Sequence, residues 1–509
     1  MNYEESVRYL LSLGKELAAP RQPAPRGVAS LTAQKFDLRN IGALAGALGN
    51  PHLAVPCAHV AGTNGKGSTC AMLASILQQA GLKTGLYTSP HLERINERIR
   101  VNGVEISDDD FAAAFTRVQR TLESLLAAGE LAAHPTFFEC VTAMAFDHFA
   151  AGHERGEHRS HEGTGRTEQS TRTDFAVYEV GMGGRLDSTN IVQPEVTVIT
   201  QIDFDHENFL GHSIEEIAAE KAGIIKPGVA AVSSAERPEA RAVIQRVCSE
   251  RGAPLIEIQD TFQFAGVLAA PLSGRSAGSE RDRANSATVT PGSYRVSATD
   301  LRDGSKFEFA IGLAGRFQIR NALAALAAAR VLAGRGFPID HHAIARGIAG
   351  VRWPGRLELL RSADAAGPWV YLDGAHNPAA ARALVEFWQE HFANRRIHLV
   401  YGALRDKAVD EVAGLLFPRA ATVTLTQART SRAISADLLA KVTRDLAAHV
   451  EVVPEAVAAL AHAIHAAAPG DAVFATGSLY LCGELRAAWP GIAQRLSSLR
   501  SSHAGQARS

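Results

Sequence analysis

Short runs of β-branched and aromatic residues alternate with helix-patterned stretches along most of the chain, and this alternation is what most narrows the folds open to it. It is the pattern of a parallel sheet wrapped by helices. The run LAVPCAHVAG reads as a strand that enters a glycine loop, and the helix behind it carries Met72, Leu73, Ile76 and Leu77 at helical spacing before stopping at Gly81. Further strands are expected at KTGLYTS, DFAVYEVG and VTVITQID. A helix IEEIAAEKAGII follows, halted by Lys226, Pro227 and Gly228, and then a strand VAAVSS. After residue 350 the alternation restarts: WVYLDGA and a helix from Pro378, RIHLVYGAL and a helix near Asp410, ATVTLTQ and a helix SADLLAKVTRDLA, and finally DAVFATGSLYL.

With 509 residues, and roughly 100–200 residues per domain, the chain has room for two to four domains. The two alternating blocks predict a large α/β domain over residues 1–352 and a smaller one over 353–500, joined near Arg352–Arg356, with 501–509 as a disordered tail. Two tracts break the rhythm, 152–172 and 273–292. Both are polar, rich in Gly, Ser and Arg, and nearly free of large apolar residues, so they read as loops or disordered inserts. The histidines of the first (His153, His158, His161) are irregularly spaced in a solvated tract, which favours solvated side chains over a metal site.

Charge and cysteine usage narrow the partners. With 52 Lys+Arg against 53 Asp+Glu the formal net charge is −1, so no global field draws in nucleic acid or an anionic membrane, and a polyanion must be bound locally. The five cysteines (Cys57, Cys70, Cys140, Cys248, Cys482) are scattered and without C-x-x-C spacing, as in a chain kept in a reducing cytoplasm. The opening MNYEESVRYLLSLGKEL has acids where a signal peptide needs basic residues, and nowhere do twenty apolar residues run uninterrupted. A soluble cytoplasmic protein is expected.

The sharpest motif is HVAGTNGKGST, His59 to Thr69, between a strand and a helix. Gly62, Gly65 and Gly67 let the backbone turn tightly so that successive N–H groups face an anion at the helix N-terminus, while Lys66 adds a point charge and Ser68 and Thr69 add hydroxyls. The standard G-x-x-x-x-G-K-[ST] pattern is not met: Val60 stands at its first Gly, and Gly67 stands where the magnesium-binding hydroxyl belongs. Magnesium would then need other ligands, and candidates stand at later strand ends. TSPH supplies Ser89, YEVGMGG supplies Glu179, and TQIDFDHENFLG supplies Asp203, Asp205 and His206. In an open parallel sheet these ends share one crevice, where ligands bind.

HVAGTNGKGST, YTSPHL, EVGMGGRLDSTN, DHENFLGHSIEEIAAEKAGIIK, WPGRLE, YLDGAHNP and TGSLYL occur here in the order seen in the folylpolyglutamate synthase/dihydrofolate synthase family of ATP-dependent Mur-type ligases, which the chain resembles from its first residues to about Trp489. The resemblance implies a Mur-ligase-like α/β fold, a P-loop NTPase-type parallel-sheet domain followed by a smaller Rossmann-like domain. It implies that Thr63, Asn64, Gly65, Lys66, Gly67 and Ser68 hold ATP phosphates, and that Asn321, Arg356 and Asp373 make further nucleotide contacts. Ser89, Glu179 and His206 match the family's magnesium ligands, with two ions and a monovalent cation expected. Lys221 matches a lysine carried as a carbamate, which turns a cation into an anion that can hold a metal. Lys66, Lys221, His206 and Glu179 are therefore the catalytic candidates.

For the pterin substrate and glutamate, the matching positions are Asp37 in FDLRNI, Thr136, Phe137, Phe138 and Glu139 in TFFE, Asp187, and His376 in DGAHNP. Bifunctional bacterial members of the family usually show a DLGL-type sequence where Asp37-Leu38 is here followed by Arg39-Asn40, which leaves dihydropteroate open as a substrate, while TFFE speaks for it. The activity implied is phosphoryl transfer from ATP to a carboxylate of a reduced folate or dihydropteroate, then attack on the acyl phosphate by L-glutamate, in a monomer. Two other readings stay open on the residues: another Mur-type ligase acting on a cell-wall precursor or polyamide, and a P-loop regulatory protein that binds nucleotide only to change shape.

Overall fold

A computed structural model describes residues 1–13, 37–131, 133–151, 173–269, 292–363 and 367–506. The tract 152–172 lies wholly outside these residues, as do Phe36 and all of 273–292 except Gly292. Eight strands form the first sheet: β1 (Cys57–Ala61), β2 (Thr84–Tyr87), β3 (Ile99–Val101), β4 (Val104–Glu105), β5 (Phe175–Glu179), β6 (Val196–Ile199), β7 (Ala231–Ser233) and β8 (Leu255–Glu257). Their order is β4-β3-β2-β5-β1-β6-β7-β8. From β2 to β8 the neighbours are parallel, and β3 and β4 add an antiparallel edge. β1, β5 and β6 are buried along their whole length, as strands covered on both faces must be, which is why CAHVA, FAVYE and VTVI are apolar runs and not alternating ones.

The helix Lys66–Gln79 leaves the glycine loop and is buried over most of its surface, including Met72, Leu73, Ile76 and Leu77. It packs in one core with the helices Gln318–Gly334 and His341–Gly350. Ala322, Ala324, Ala325, Ala327, Ala328 and Ala329 are fully buried there, so the Ala-rich run serves close helix packing. Each fully buried Leu or Ile contributes about 1.5–3 kcal/mol of transfer free energy.

One layer was not foreseen from the sequence. A three-stranded antiparallel sheet, β11-β10-β9, is built from β9 (Phe262–Leu268), β10 (Tyr294–Asp300) and β11 (Lys306–Ala310). YRVSATD alternates buried and exposed residues, a period-two signal hidden next to a polar tract. The last sheet has order β12-β13-β17-β14-β15-β16: β12 (Glu358–Arg361), β13 (Trp369–Leu372), β14 (Ile397–Tyr401), β15 (Thr422–Gln427), β16 (Val450–Glu455) and β17 (Ala472–Thr476). All its neighbours are parallel except β12 with β13.

Three boundaries differ from expectation. The helix at IEEIAAEKAGII ends at Ala222, where Gly223 follows, and the one at SADLLAKVTRDLA ends at Val442. The last helix runs Leu479–Gln506, so 501–506 continue a helix where a tail was expected, and 507–509 lie outside the described residues.

Candidate functional site

The carboxyl ends of the two parallel sheets face each other across one cavity of about 930 Å³. From the first sheet come the glycine loop after β1, Ser89 beyond β2, Glu179 at the tip of β5, and Asp203, Asp205 and His206 beyond β6. From the second come Asp373 and His376 beyond β13. Parallel register makes this convergence automatic: β1 Val60 lies beside β5 Glu179 on one side and β6 Val198 on the other.

The loop is held open by its neighbours. Gly62 (φ 151) sits so close to Thr200 that any Cβ would overlap the Thr200 hydroxyl, which itself donates to the Asn64 carbonyl at 2.7 Å. Gly65 (φ 87) is left-handed, and a Cβ there would meet the Asn321 side chain. Thr63 and Asp203 are tied reciprocally: Thr63 Oγ1 donates to the Asp203 carbonyl at 2.9 Å and accepts from its amide at 3.1 Å. The amide groups that would bind phosphate are thereby pre-set. Lys66 Nζ folds back onto the carbonyls of Gly62 (3.0 Å) and Thr63 (3.2 Å). Ser68 accepts a 3.4 Å bond from Gln318, whose amide oxygen accepts from Asn321 at 2.8 Å.

Lys221, on the helix Ile214–Ala222, is buried and donates from Nζ to the same Gly62 carbonyl at 2.9 Å. Burial first, then the nearby Lys66 charge, lowers its amine to about 7. A large fraction of it is therefore neutral and nucleophilic near neutral pH.

Glu179 is buried, and Oε2 accepts the Ser89 amide at 3.2 Å. Burial raises its carboxyl, with Lys66, the Ser89 amide and Arg356 pulling the other way. His206, left-handed at φ 53, caps the short helix Glu207–Leu210. Burial and then Lys407 lower its imidazole to about 3, so the ring is neutral and keeps a lone pair. Among the described residues no three His, Cys, Asp or Glu side chains form a ready-made metal cluster. A hydroxyl, a buried carboxylate and a neutral imidazole on one cavity wall nonetheless fit a hard cation whose remaining ligands are phosphate and water oxygens.

The second sheet reaches into this wall. Asp205 accepts from Lys407 Nζ at 2.8 Å and from Asn377 Nδ2 at 3.2 Å, and its carboxylate lies 3.8 Å from His376. Burial alone would raise the Asp205 carboxyl; Lys407, His206 and His376 outweigh it and hold it well below the usual carboxylate range. Asn377 also caps the helix Pro378–Phe392, accepting from the Ala380 amide at 2.9 Å, while donating to Asn64 in the glycine loop at 3.0 Å. Asp203 adds ion pairs to Arg237 (2.9 Å) and to Arg382 (3.2 Å). At the joint, Asp373 accepts the amides of Leu357 (2.9 Å) and Ala375 (3.0 Å), and Arg356 lines the same cavity.

Thr63, Asn64, Gly65, Lys66, Gly67, Ser68, Ser89, Glu179, His206, Lys221, Asn321, Arg356, Asp373 and His376 thus share one cavity. Five expected residues stand elsewhere. Thr136 and Glu139 are a capping box on the helix Phe137–Ala150: Glu139 Oε2 accepts from the Thr136 amide (2.7 Å) and hydroxyl (2.8 Å). Phe137 is buried in the core beneath Arg98, 5.2 Å from ring centroid to guanidinium. Asp187 accepts from Met182 (2.9 Å) and Thr189 (3.0 Å) amides and shapes the 181–189 turn. Asp37 pairs with Arg39 at 2.5 Å, which holds its carboxyl below the usual range. Phe138 bridges the two places, packed so tightly on cavity-lining Gly181 that no Cβ fits between them.

Sequence reasoning missed Lys407, Arg382, Gln318 and Trp353, whose ring lies 3.0 Å from where a Gly67 Cβ would be. Only the strand-end position of Lys407, after β14, could have flagged it.

Residues 141–329 match the Mur ligase middle domain, and residues 355–479 match the Mur ligase glutamate ligase domain. The chain is 38% identical to the dihydrofolate synthase/folylpolyglutamate synthase of Bacillus subtilis over 361 residues, 71% of this chain and 74% of that protein. The fold superposes on Mycobacterium tuberculosis folylpolyglutamate synthase complexed with ADP and AMPPCP at 30% identity and a TM-score of 0.76, covering 90% and 96% of the two chains. It also superposes on E. coli FolC in complex with DHPP and ADP at 26% identity and a TM-score of 0.76, covering 97% and 99%.

Proposed function

Because the chain belongs to the dihydrofolate synthase/folylpolyglutamate synthase family of Mur-type ligases, ATP-dependent glutamate ligases of folate metabolism, we propose that it joins L-glutamate to dihydropteroate, to the glutamate tail of tetrahydrofolates, or to both, through an acyl phosphate. The observation that carries this reading is the cavity in which a phosphate loop on one sheet faces Asp373 and His376 of another.

A carboxylate is a poor electrophile, because its charge repels nucleophiles and its oxygen leaves badly; transfer of the γ-phosphoryl of ATP repairs both faults. The pre-set amides of Asn64 to Ser68 would meet the phosphates, and the Lys66 ammonium would swing onto them from the Gly62 and Thr63 carbonyls, offsetting charge on the transferring group. Ser89, Glu179 and His206 would hold magnesium, which when bound neutralises phosphate oxygens and aligns them. Lys221 has the burial and the lowered proton affinity to add CO₂, its neutral amine forming an N–C bond and releasing a proton to give a carbamate. Asn321, Arg356 and Asp373 would position the nucleotide, and His376 the incoming amino acid. Closure of the second domain excludes water that would hydrolyse the acyl phosphate.

The pterin would enter where Phe138 meets Gly181, with the Asp37–Glu139 side behind it. The chain would act as a monomer in the cytoplasm; among the described residues no helix is long and apolar enough to cross a membrane.

The deciding assay offers purified protein ATP, Mg²⁺ and L-glutamate, with dihydropteroate and tetrahydrofolate supplied separately. ADP release that requires both glutamate and one of the pterins is expected. Turnover with neither pterin, or without glutamate, would remove the reading.

A further inference from the structure

Lys407 belongs to the second domain, in the loop after β14, yet its ammonium is almost wholly buried in the wall of the first. It makes a 2.8 Å ion pair with Asp205 and a 3.2 Å hydrogen bond with His206 Nε2. An ammonium only donates, so the imidazole must accept through its Nε2 lone pair, with the proton on Nδ1. That lone pair is the one a metal would use. One imidazole nitrogen cannot accept a hydrogen bond and ligate a cation at once.

We propose that Lys407 is a cross-domain latch that takes the place of the divalent cation at His206, closing the domains through Asp205 and yielding His206 when the cation enters. The inference rests on His206 being a cation ligand, and it adds an order of events. Without metal, the charge that Asp205 and the lone pair of His206 require comes from the partner domain. With metal, that positive charge is delivered to the first domain directly, and the Lys407 side chain is freed at the cleft. Asn377 stays attached to Asp205 and Asn64, and Arg382 to Asp203, so the domains need not separate when Lys407 leaves. A first domain carrying nucleotide without metal therefore keeps its latch.

Mn²⁺ binding to the full chain with the non-hydrolysable analogue AMPPCP, followed by electron paramagnetic resonance, tests both layers. Lys407→Met should bind Mn²⁺ about fivefold tighter than the unaltered protein, and His206→Ala should bind it more weakly. The double variant decides the mechanism, because with His206 gone there is no lone pair to contest and Lys407→Met should bring no gain. An equal gain in both backgrounds would mean general charge repulsion and overturn the latch, as would no gain at all. Unchanged Mn²⁺ affinity in His206→Ala would instead remove His206 as a ligand, a failure of the underlying reading and not of the latch alone. Thermal melts of each variant without metal establish that the fold is retained.

Discussion

At the scale of single residues, the site is built from charges that burial has unsettled. Lys221 is an amine kept out of water with Lys66 nearby, and burial lowers its pKa from the 10.5 of an exposed lysine to about 7. Folding therefore releases protons there, so its destabilising effect is full below about pH 7 and fades as pH rises toward 10.5. Lys221→Met should thus abolish turnover while leaving the melting temperature at pH 7 equal or higher. A large fall in melting temperature would show that the amine serves the fold, and retained turnover would take it out of the reaction. Lys66→Ala should likewise abolish glutamate-dependent ADP release and leave the circular dichroism spectrum unchanged, since among the described residues its Nζ hydrogen-bonds only to carbonyls of its own loop. Near-normal turnover would take Lys66 out of the reaction. Lys66 was legible in the chain because its neighbours are glycines; Lys407 was not, because nothing around it in sequence sets it apart.

At the scale of elements, the motif Thr136–Glu139 shows how one short sequence can be read two ways. T-x-x-E before an apolar run is a helix start, and the side chains bond each other to that end. Thr136→Ala should cost about 1 kcal/mol of stability, seen in denaturant midpoints, with AMPPCP affinity unchanged. A pterin role for the same residues would show instead as a raised KM for the pterin in Glu139→Gln, which keeps the cap acceptor. The layer β9–β11 was missed because a long polar tract separates β9 from β10, although Asp303-Gly304 marks a turn between β10 and β11. It matters to the site nonetheless, since Phe264 and Gly266 of β9 line the cavity.

At the scale of the molecule, the cavity belongs to neither domain alone. Asp203, Asp205 and Asn64 on one side meet Arg382, Lys407 and Asn377 on the other. A nucleotide bound in that cavity would touch both halves, and AMPPCP with Mg²⁺ at a hundredfold its Kd should stabilise the protein by about 2.7 kcal/mol. Both domains should melt later in calorimetry; a shift confined to one transition would place the nucleotide outside the shared cavity.

Hydrophobic period and glycine placement are local properties, so the chain alone determined that parallel sheets form, that a phosphate loop leaves β1, and that Ser89, Glu179 and His206 end strands beside it. What only the tertiary structure decided is which domain answers which. The pairing of Asp205 with Lys407 and of Asn64 with Asn377 spans 202 and 313 positions. Contacts that distant follow from how the carboxyl ends of two sheets face each other, and no pattern within one strand or helix encodes that docking. The same reason separates Thr136 and Asp187 from the cavity: their hydrogen bonds were satisfied locally, which left the cleft to side chains whose partners could come only from across it.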